Sequence, residues 1–562
     1  MDLLQTYLES LSLIHSSGSA VKETSYYGTL ENLLNEVGKA LKPRVRCIIN
    51  IANRGAGLPD GGLFTPDQFQ KRAKGELIEG QLPSRGAIEI KSTSDEVDAI
   101  VDSEQVRRYL SRYRQVLVTN YRDFILVGLD RDGNLVRRER FRLATNEDEF
   151  WKAAEYARST ASELEERFIE YLKRVMLHAA PLTLPKDVAW FLASYARDAK
   201  ARIEGTKLPA LDSVRAALEE ALGLKFEGEK GEHFFRSTLV QTLFYGVFSA
   251  WVLWSKKHPP TKRNARFNWH EAAWSLHVPM IKALFEQVAT PSKLEPLGLT
   301  EVLDWSTDVL NRVDRAAFFA NFEEGHAVQY FYEPFLQAFD PVLRKRLGVW
   351  YTPTEVVKYM VARVDTALRN ELKISDGLAD PRVYVLDPCC GTGAYLVEVL
   401  HKIHETLKAK GEDALAANDL KLAAMNRVFG FELLPAPFVV SHLQLGLLLQ
   451  SLGAPLSETR RERVGIYLTN ALTGWEPPTE EVKARLRQLA FAFSELKEEH
   501  DAAERVKRET PILVILGNPP YDGFAGVAVS EERDLSGAYR TTIQAPPPQG
   551  QGLNDLYVRF YR

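Results

Sequence analysis

The stretch Val383-Tyr384-Val385-Leu386-Asp387-Pro388-Cys389-Cys390-Gly391-Thr392-Gly393 decides how this chain is read. An apolar run enters an acidic residue, then a Gly-rich turn, and the helix-like segment Tyr395 to His401 follows. A buried strand, a tight loop and a helix start form the first unit of a doubly wound sheet. Gly391 and Gly393 let the backbone approach a ligand closely. No Gly-Lys-Ser/Thr follows, so this is not a Walker-type phosphate loop. A second strand, Val428 to Phe431, ends in Glu432, and an acidic residue there suits a ribose diol.

Downstream, the apolar run Ile512 to Leu516 leads to Asn518-Pro519-Pro520-Tyr521. An amide, two prolines and an aromatic ring make a poor strand or helix but a good rigid loop. Both prolines fix φ and lack an N–H. The Asn518 side-chain oxygen and the Pro519 carbonyl then offer two acceptors to one exocyclic amine. Tyr521 offers a face on which an extruded base stacks.

Together these residues resemble the gamma-type adenine-N6 DNA methyltransferases, in motif order. Gly348-Val-Trp-Tyr351-Thr352-Pro353 is similar to the element that precedes the AdoMet loop in that family. Asp387-Pro388-Cys-Cys-Gly391-Thr-Gly393 is similar to the loop itself. The resemblance implies that Glu432 binds the ribose of S-adenosyl-L-methionine and that Asn470 lies by its adenine. It further implies that Asn518, Pro519, Pro520 and Tyr521 carry catalysis. It covers roughly residues 345 to 562.

The N-terminal part holds a second constellation. Leu58-Pro59-Asp60 precedes Gly86-Ala-Ile-Glu89-Ile-Lys91, where Ile88 and Ile90 read as strand, so Glu89 and Lys91 share a face. Two carboxylates and a lysine converging there suit a hard divalent cation and an oriented water. Alone, Glu-x-Lys is an ordinary solvated strand pair. Here Gln105-x-x-x-Tyr109 follows, one helical turn apart, before the apolar run Gln115 to Thr119. The order resembles the PD-(D/E)XK nucleases. That resemblance implies Mg2+ on Asp60 and Glu89, with Lys91 and Gln105 as further catalytic residues. It also implies a carboxylate from the first helical region, either Glu23 or Glu31. An insertion from about Thr65 to Ser84 accounts for the long spacing between Asp60 and Glu89.

At 562 residues with 45% hydrophobic content, the chain has room for several domains with ordinary cores. The net charge of −4 gives no global basic signature, so DNA binding needs local patches. Lys71, Arg72 and Lys74 form one candidate patch; Arg107, Arg108, Arg112 and Arg114 form another. The three cysteines, Cys47, Cys389 and Cys390, fit a reducing cytoplasm, and the pair in the loop reads as packing. No spacing suggests zinc, and the N-terminus has no signal-peptide pattern. Leu239 to Trp254 is strongly apolar but short for a span, so it reads as a core helix and no membrane is expected. Phe150 to Leu177 and Ala210 to Leu224 show helical periodicity.

The expected architecture is multidomain α/β: a PD-(D/E)XK nuclease-like α/β domain over 1–150, a helical connector over 151–344, and a Rossmann-like AdoMet-dependent methyltransferase domain over 345–562. The whole resembles single-chain Type II restriction–modification enzymes, which implies double-stranded DNA as partner. In that family further strands and a target-recognition domain follow the catalytic loop. After Tyr521 this chain has only the Pro/Gln/Gly-rich Ala545 to Gly552 and a helix start at Leu553. The methyltransferase domain therefore reads as incomplete, with recognition supplied by a missing C-terminal domain or subunit. Two rival readings share the motif: methylation of RNA or of glutamine in protein, and a non-catalytic remnant that needs a partner.

Overall fold

The computed structural model describes residues 2–18, 21, 23–51, 59–70, 77–78, 81–130, 133–204, 211–212, 215–216, 218–219, 225–259, 265–271, 285, 294–322, 331–340, 352–411, 413–457, 459–475, 480, 484, 494–520 and 560. Lys71, Arg72, Lys74, Tyr351, Tyr521, most of Ala210 to Leu224 and the Ala545 to Gly552 stretch lie outside the described residues. The chain divides into two compact units, Met1–Leu182 and Thr183–Arg562.

The first unit is a mixed six-stranded sheet, in spatial order β1 (Arg46–Ile49), β2 (Gly61–Phe64), β3 (Ala87–Ile90), β4 (Gln115–Thr119), β5 (Asp123–Leu129) and β6 (Leu135–Arg142). All neighbours are antiparallel except β3 and β4. A parallel pair cannot be joined by a tight hairpin and needs a crossover. Helix Glu104–Tyr113 lies in that crossover, capped by the Ser103 side chain, which accepts from the Val106 N–H. It buries Val106, Tyr109, Leu110 and Tyr113, the spacing of one helical stripe. That stripe packs with Val116, Val118, Ile125 and Val127, which alternate along β4 and β5. From the helix Ala157–Leu177, Phe168 meets Phe124 and Phe141, and the Tyr171 hydroxyl donates to the Phe124 carbonyl at 3.0 Å.

The run Phe150 to Leu177, read as one periodic helical segment, is two helices, Glu147–Glu155 and Ala157–Leu177, broken at Tyr156 with φ −101° and ψ 41°. Both belong with the N-terminal unit, whose boundary falls after Leu182 and not near 150. The reason is burial: the second helix covers a sheet face that polar solvent would otherwise meet.

The second unit opens with helices, among them Pro185–Ile203, Gly228–Lys257 and Leu299–Arg312. The apolar run Leu239 to Trp254 lies inside Gly228–Lys257, with Val240, Tyr245, Val247 and Trp251 fully buried. It is a core helix packed on helix Pro435–Ser451. No described helix is long and apolar enough to cross a membrane. Four parallel strands follow, in the order β10 (Val514–Ile515), β7 (Val385–Asp387), β8 (Val428–Glu432) and β9 (Gly465–Leu468). The order reverses at β7, so the chain leaves β7 and β10 on either side of one crevice, where such sheets bind ligands.

One interaction tests the N-terminal packing. Arg174 Nε donates to Glu139 Oε2 at 2.9 Å, and both side chains are almost wholly buried. Removing one partner strands a buried charge. Glu139→Ala is expected to lower the stability of this unit by about 3–5 kcal/mol, with Glu139→Gln milder. Denaturant unfolding of the intact chain measures this; a change under about 1 kcal/mol contradicts the burial argument.

Candidate functional site

Two sites emerge, one in each unit. In the second, β7 delivers Asp387 to the crevice. Its Oδ1 accepts from the Cys389 N–H at 3.1 Å, and its Oδ2 is buried with no hydrogen-bond partner. The loop then turns through Gly391 at φ 54° and Gly393 at φ 91°, conformations that favour glycine. A side chain on Gly393 would meet Leu445, whereas the Cβ position of Gly391 faces open space. That is the cradle expected of a loop that a ligand approaches. Cys390 packs under Gly430, and burial raises both loop thiols well above their ordinary value. They are spacers, not nucleophiles.

Glu432 ends β8 beside this loop. Its Oε1 accepts from the Leu434 N–H at 2.8 Å. Burial pushes its carboxyl up to about 7, against the backbone N–H groups of Leu434, Gly391 and Leu433. Burial likewise pushes Asp387 up to about 7; the Cys389 N–H opposes this and the Glu432 charge adds to it. Asn470 follows β9, and its side chain caps its own turn, accepting from the Leu472 N–H at 3.0 Å. Lys507, missed by the sequence reading, fixes that turn by donating to Thr469 Oγ1 at 2.9 Å and to the Asn470 carbonyl at 2.7 Å.

β10 carries the Asn-Pro-Pro loop to the same end of the sheet. The Leu516 N–H pairs with the Leu386 carbonyl at 3.1 Å, so Gly517 arrives directly against Asp387. A Cβ on Gly517 would sit 2.5 Å from Asp387 Oδ1, so only glycine fits there. Asn518, Pro519 and Pro520 follow, half-buried. Asn518 Nδ2 donates to Thr352 Oγ1 at 3.1 Å. This contact between two distant motifs orients the amide, with its nitrogen side tied to Thr352. Pro353 caps the start of helix Thr354–Asn370 and is exposed, and Pro388 sits half-buried in the loop.

In the first unit, β2 and β3 pair antiparallel with Gly61 opposite Ile88, which sets Asp60 across from the end of β3. The spacing of Asp60 is thus resolved by pairing, and the neck of the intervening insertion is closed by Thr65 Oγ1 and Ser84 Oγ at 2.9 Å. Asp60 Oδ2 accepts from the Ile90 N–H at 2.7 Å and lies 4.0 Å from Lys91 Nζ. Lys91 also bonds Glu89 Oε1. Glu89 is fully buried, and its Oε2 has no hydrogen-bond partner. It is not a solvated strand residue. Burial pushes its carboxyl up to about 7, opposed by the Lys91 hydrogen bond and reinforced by the Asp60 charge.

Gln105 Nε2 donates to the Tyr109 hydroxyl at 2.9 Å, so the Gln-x-x-x-Tyr motif is a bonded pair. Tyr109 is held protonated by burial and then by the nearby Glu89 and Asp60 charges. The structure also separates the two helical carboxylates. Glu31 Oε1 accepts from the Ile49 N–H at 3.2 Å and serves β1. Glu23 joins the site through Tyr27, whose hydroxyl reaches Asp60 Oδ1 at 2.9 Å and Glu23 Oε1 at 3.1 Å. Tyr27 had no sequence signal; only the fold brings it there.

With this geometry in hand, comparison gives a class. Residues 323–443 match the N-6 DNA Methylase family model, a segment that holds Thr352, Asp387, Gly391, Gly393 and Glu432. The chain carries an N-6 DNA methylase domain, and the methyl donor such a domain implies is S-adenosyl-L-methionine. No curated protein matches the chain. Among solved structures it is similar to a DrdV–DNA complex seen by cryo-electron microscopy, with 20% identity and TM-score 0.46 over 100% of this chain and 48% of that one. It is similar too to the Type ISP restriction–modification enzyme LlaBIII bound to DNA, with 19% identity and TM-score 0.43 over 74% of this chain and 25% of that one. A third is the Type IIL enzyme MmeI in complex with DNA, with 17% identity and TM-score 0.32 over 68% of this chain and 48% of that one. The chain spans about half the length of the DrdV chain or less of these structures.

The buried Glu89 makes stability depend on pH. Its folded pKa, raised to about 7, exceeds the ordinary carboxyl value, so its favourable contribution is complete below about 4.5 and is lost as pH rises through 7. Glu89→Gln removes that loss. It is expected to stabilise the N-terminal unit by about 1–3 kcal/mol at pH 8 and by nothing near pH 4. Thermal or denaturant unfolding at the two pH values decides it; equal effects at both contradict the burial of an unfavourable charge.

Proposed function

We propose that this chain is the nuclease and methyltransferase portion of a restriction–modification enzyme acting on double-stranded DNA. The observation that carries the methyltransferase half is the meeting of the Asn518-Pro519-Pro520 loop with the Asp387–Gly393 loop at one sheet end, in a chain with an N-6 DNA methylase match. The Rossmann-like reading of this domain rests on the parallel order that reverses at β7.

The buried Asp387 and Glu432 and the open Gly391 turn fit S-adenosyl-L-methionine, with the ribose hydroxyls on Glu432 and the methionine part along the 387–393 loop. The cofactor supplies an activated methyl group. The protein's own work is positioning. Asn518 Oδ1, oriented because Nδ2 is tied to Thr352, and the Pro519 carbonyl accept the two hydrogens of an adenine N6 amine. That holds the nitrogen lone pair toward the methyl group, and holding reactants in line supplies most of the rate without a covalent intermediate. Asn518→Ala is expected to abolish methyl transfer while calorimetry still detects cofactor binding. Glu432→Ala is expected to weaken cofactor binding by about 1.5–3 kcal/mol, the loss of hydrogen bonds to a charged acceptor. Unchanged affinity in that variant contradicts the ribose assignment.

The N-terminal unit supports a PD-(D/E)XK-type nuclease through Asp60, Glu89 and Lys91, brought to one strand end with Gln105 and Tyr109 beside them. Mg2+ fits the partnerless Glu89 Oε2 together with Asp60. The described residues hold no cluster of three or more His, Cys, Asp or Glu suited to a metal, so backbone and water oxygens would complete its shell. Bound there, a divalent cation supplies charge neutralisation and an acidified water. Lys91, bonded to Glu89, is placed to hold and orient that water. Lys91→Ala should abolish DNA cleavage by the full-length enzyme and leave N6 methylation intact; retained cleavage removes this site from consideration.

A further inference from the structure

Helix Glu104–Tyr113 does more than seal the sheet. Its outward face carries Arg107, Arg108 and Arg112, with Arg114 at its C-terminal end, all exposed. Among the described residues none of the four pairs with a carboxylate. In a chain of net charge −4 this is a local concentration of positive charge. Arg137 in the same unit is exposed too, but it sits on Asp98 and Asp102.

The helix geometry divides these arginines. Residues three and four apart are neighbours on a helix surface, and residues one or two apart are not. Gln105 and Tyr109 are a bonded pair, and Tyr109 packs in one cluster with Ala87, which shares a face of β3 with Glu89. Arg108 stands three residues from Gln105, and Arg112 stands three from Tyr109 and four from Arg108. These two therefore form a row directly beside that pair, on the helix that covers the Glu89 face of β3. Arg107 has no such relation to either residue, and Arg114 lies past the helix in a left-handed cap position.

We infer that Arg108 and Arg112 form a phosphate-docking row that seats consecutive backbone phosphates of the DNA strand next to the Asp60–Glu89–Lys91 site, and that Arg107 and Arg114 take no part in it. The chemistry follows from the guanidinium, a planar five-donor fork that matches phosphate oxygens. One helical turn between the two side chains is close to the spacing of neighbouring phosphates on one strand. The row would also offset the repulsion that two carboxylates exert on a polyanion. The inference rests on the nuclease reading of that site.

The test uses the full chain, a mixed-sequence duplex of about 30 base pairs and metal-free buffer, with binding followed by fluorescence anisotropy across a salt series. Arg108→Gln with Arg112→Gln is expected to weaken binding about tenfold near 50 mM salt and to reduce the slope of log affinity against log salt by about 2, close to 0.9 per phosphate contact. Arg107→Gln with Arg114→Gln is expected to leave the slope unchanged. Any DNA held by the methylase domain contributes equally to both double variants and cancels. Equal losses in the two pairs, no loss in either, or no binding by the unmodified chain overturns the row. Lys91→Ala separates the two readings: the cleavage that the unmodified chain shows with Mg2+ should be lost in it. Cleavage that survives Lys91→Ala breaks the nuclease reading, whereas unchanged slopes with Lys91-dependent cleavage break only the row.

Discussion

The parallel pairing of β7 with β8 on one side and β10 on the other is the constraint on which the candidate methylase site depends. Val385 pairs with Val428 and with Val514, so three chain segments far apart in sequence end at one level. Asp387, Glu432 and the Gly517–Asn518 turn are carried there by backbone hydrogen bonds, not by their own contacts. The fit has no slack at Gly517, where any side chain would collide with Asp387. The Asn518–Thr352 bond then ties the loop to the segment before helix Thr354–Asn370. Because the amide is held by one side, its other side is left in a defined direction, which is what positioning catalysis requires.

The N-terminal unit reaches a similar result by another pairing scheme. β3 lies between an antiparallel and a parallel neighbour. The antiparallel register brings Asp60 to Glu89 and Lys91. The parallel crossover brings the helix with Gln105 and Tyr109 over the same strand. Ile88 and Ile90 point to the opposite face and are fully buried, as Glu89 is, so β3 is packed on both sides.

Both sites bury carboxylates at strand ends, and this costs stability, because a charge taken from water is only partly repaid by hydrogen bonds. Glu89, Asp387 and Glu432 all have their ionisation pushed up to about 7 by burial. Some other buried charges are paired, as Arg174 is with Glu139 or Arg463 with Glu499. Unpaired carboxyl oxygens remain on Glu89 and Asp387. Perturbed acids of this kind gather where a ligand or a cation is to be held.

Much was legible in the sequence because it is local. The Gly391 and Gly393 turn, the acidic ends at Asp387 and Glu432, and the rigid Asn518-Pro519-Pro520 loop follow from residue chemistry over a few positions, and the family match supports the class they imply. The strand Ala87–Ile90 and the Gln105–Tyr109 turn of helix followed from periodicity. What tertiary structure alone decided is which side chains meet. The link from Glu23 through Tyr27 to Asp60, the Lys507 anchor on the Asn470 turn, and the Thr352–Asn518 bond join residues with no shared local pattern. The same holds for the helices at Glu147–Glu155 and Ala157–Leu177, which periodicity identifies but only packing assigns to the N-terminal unit. Sequence period reports which face of an element is apolar; it does not report which sheet that face will cover, since that is set by long-range burial.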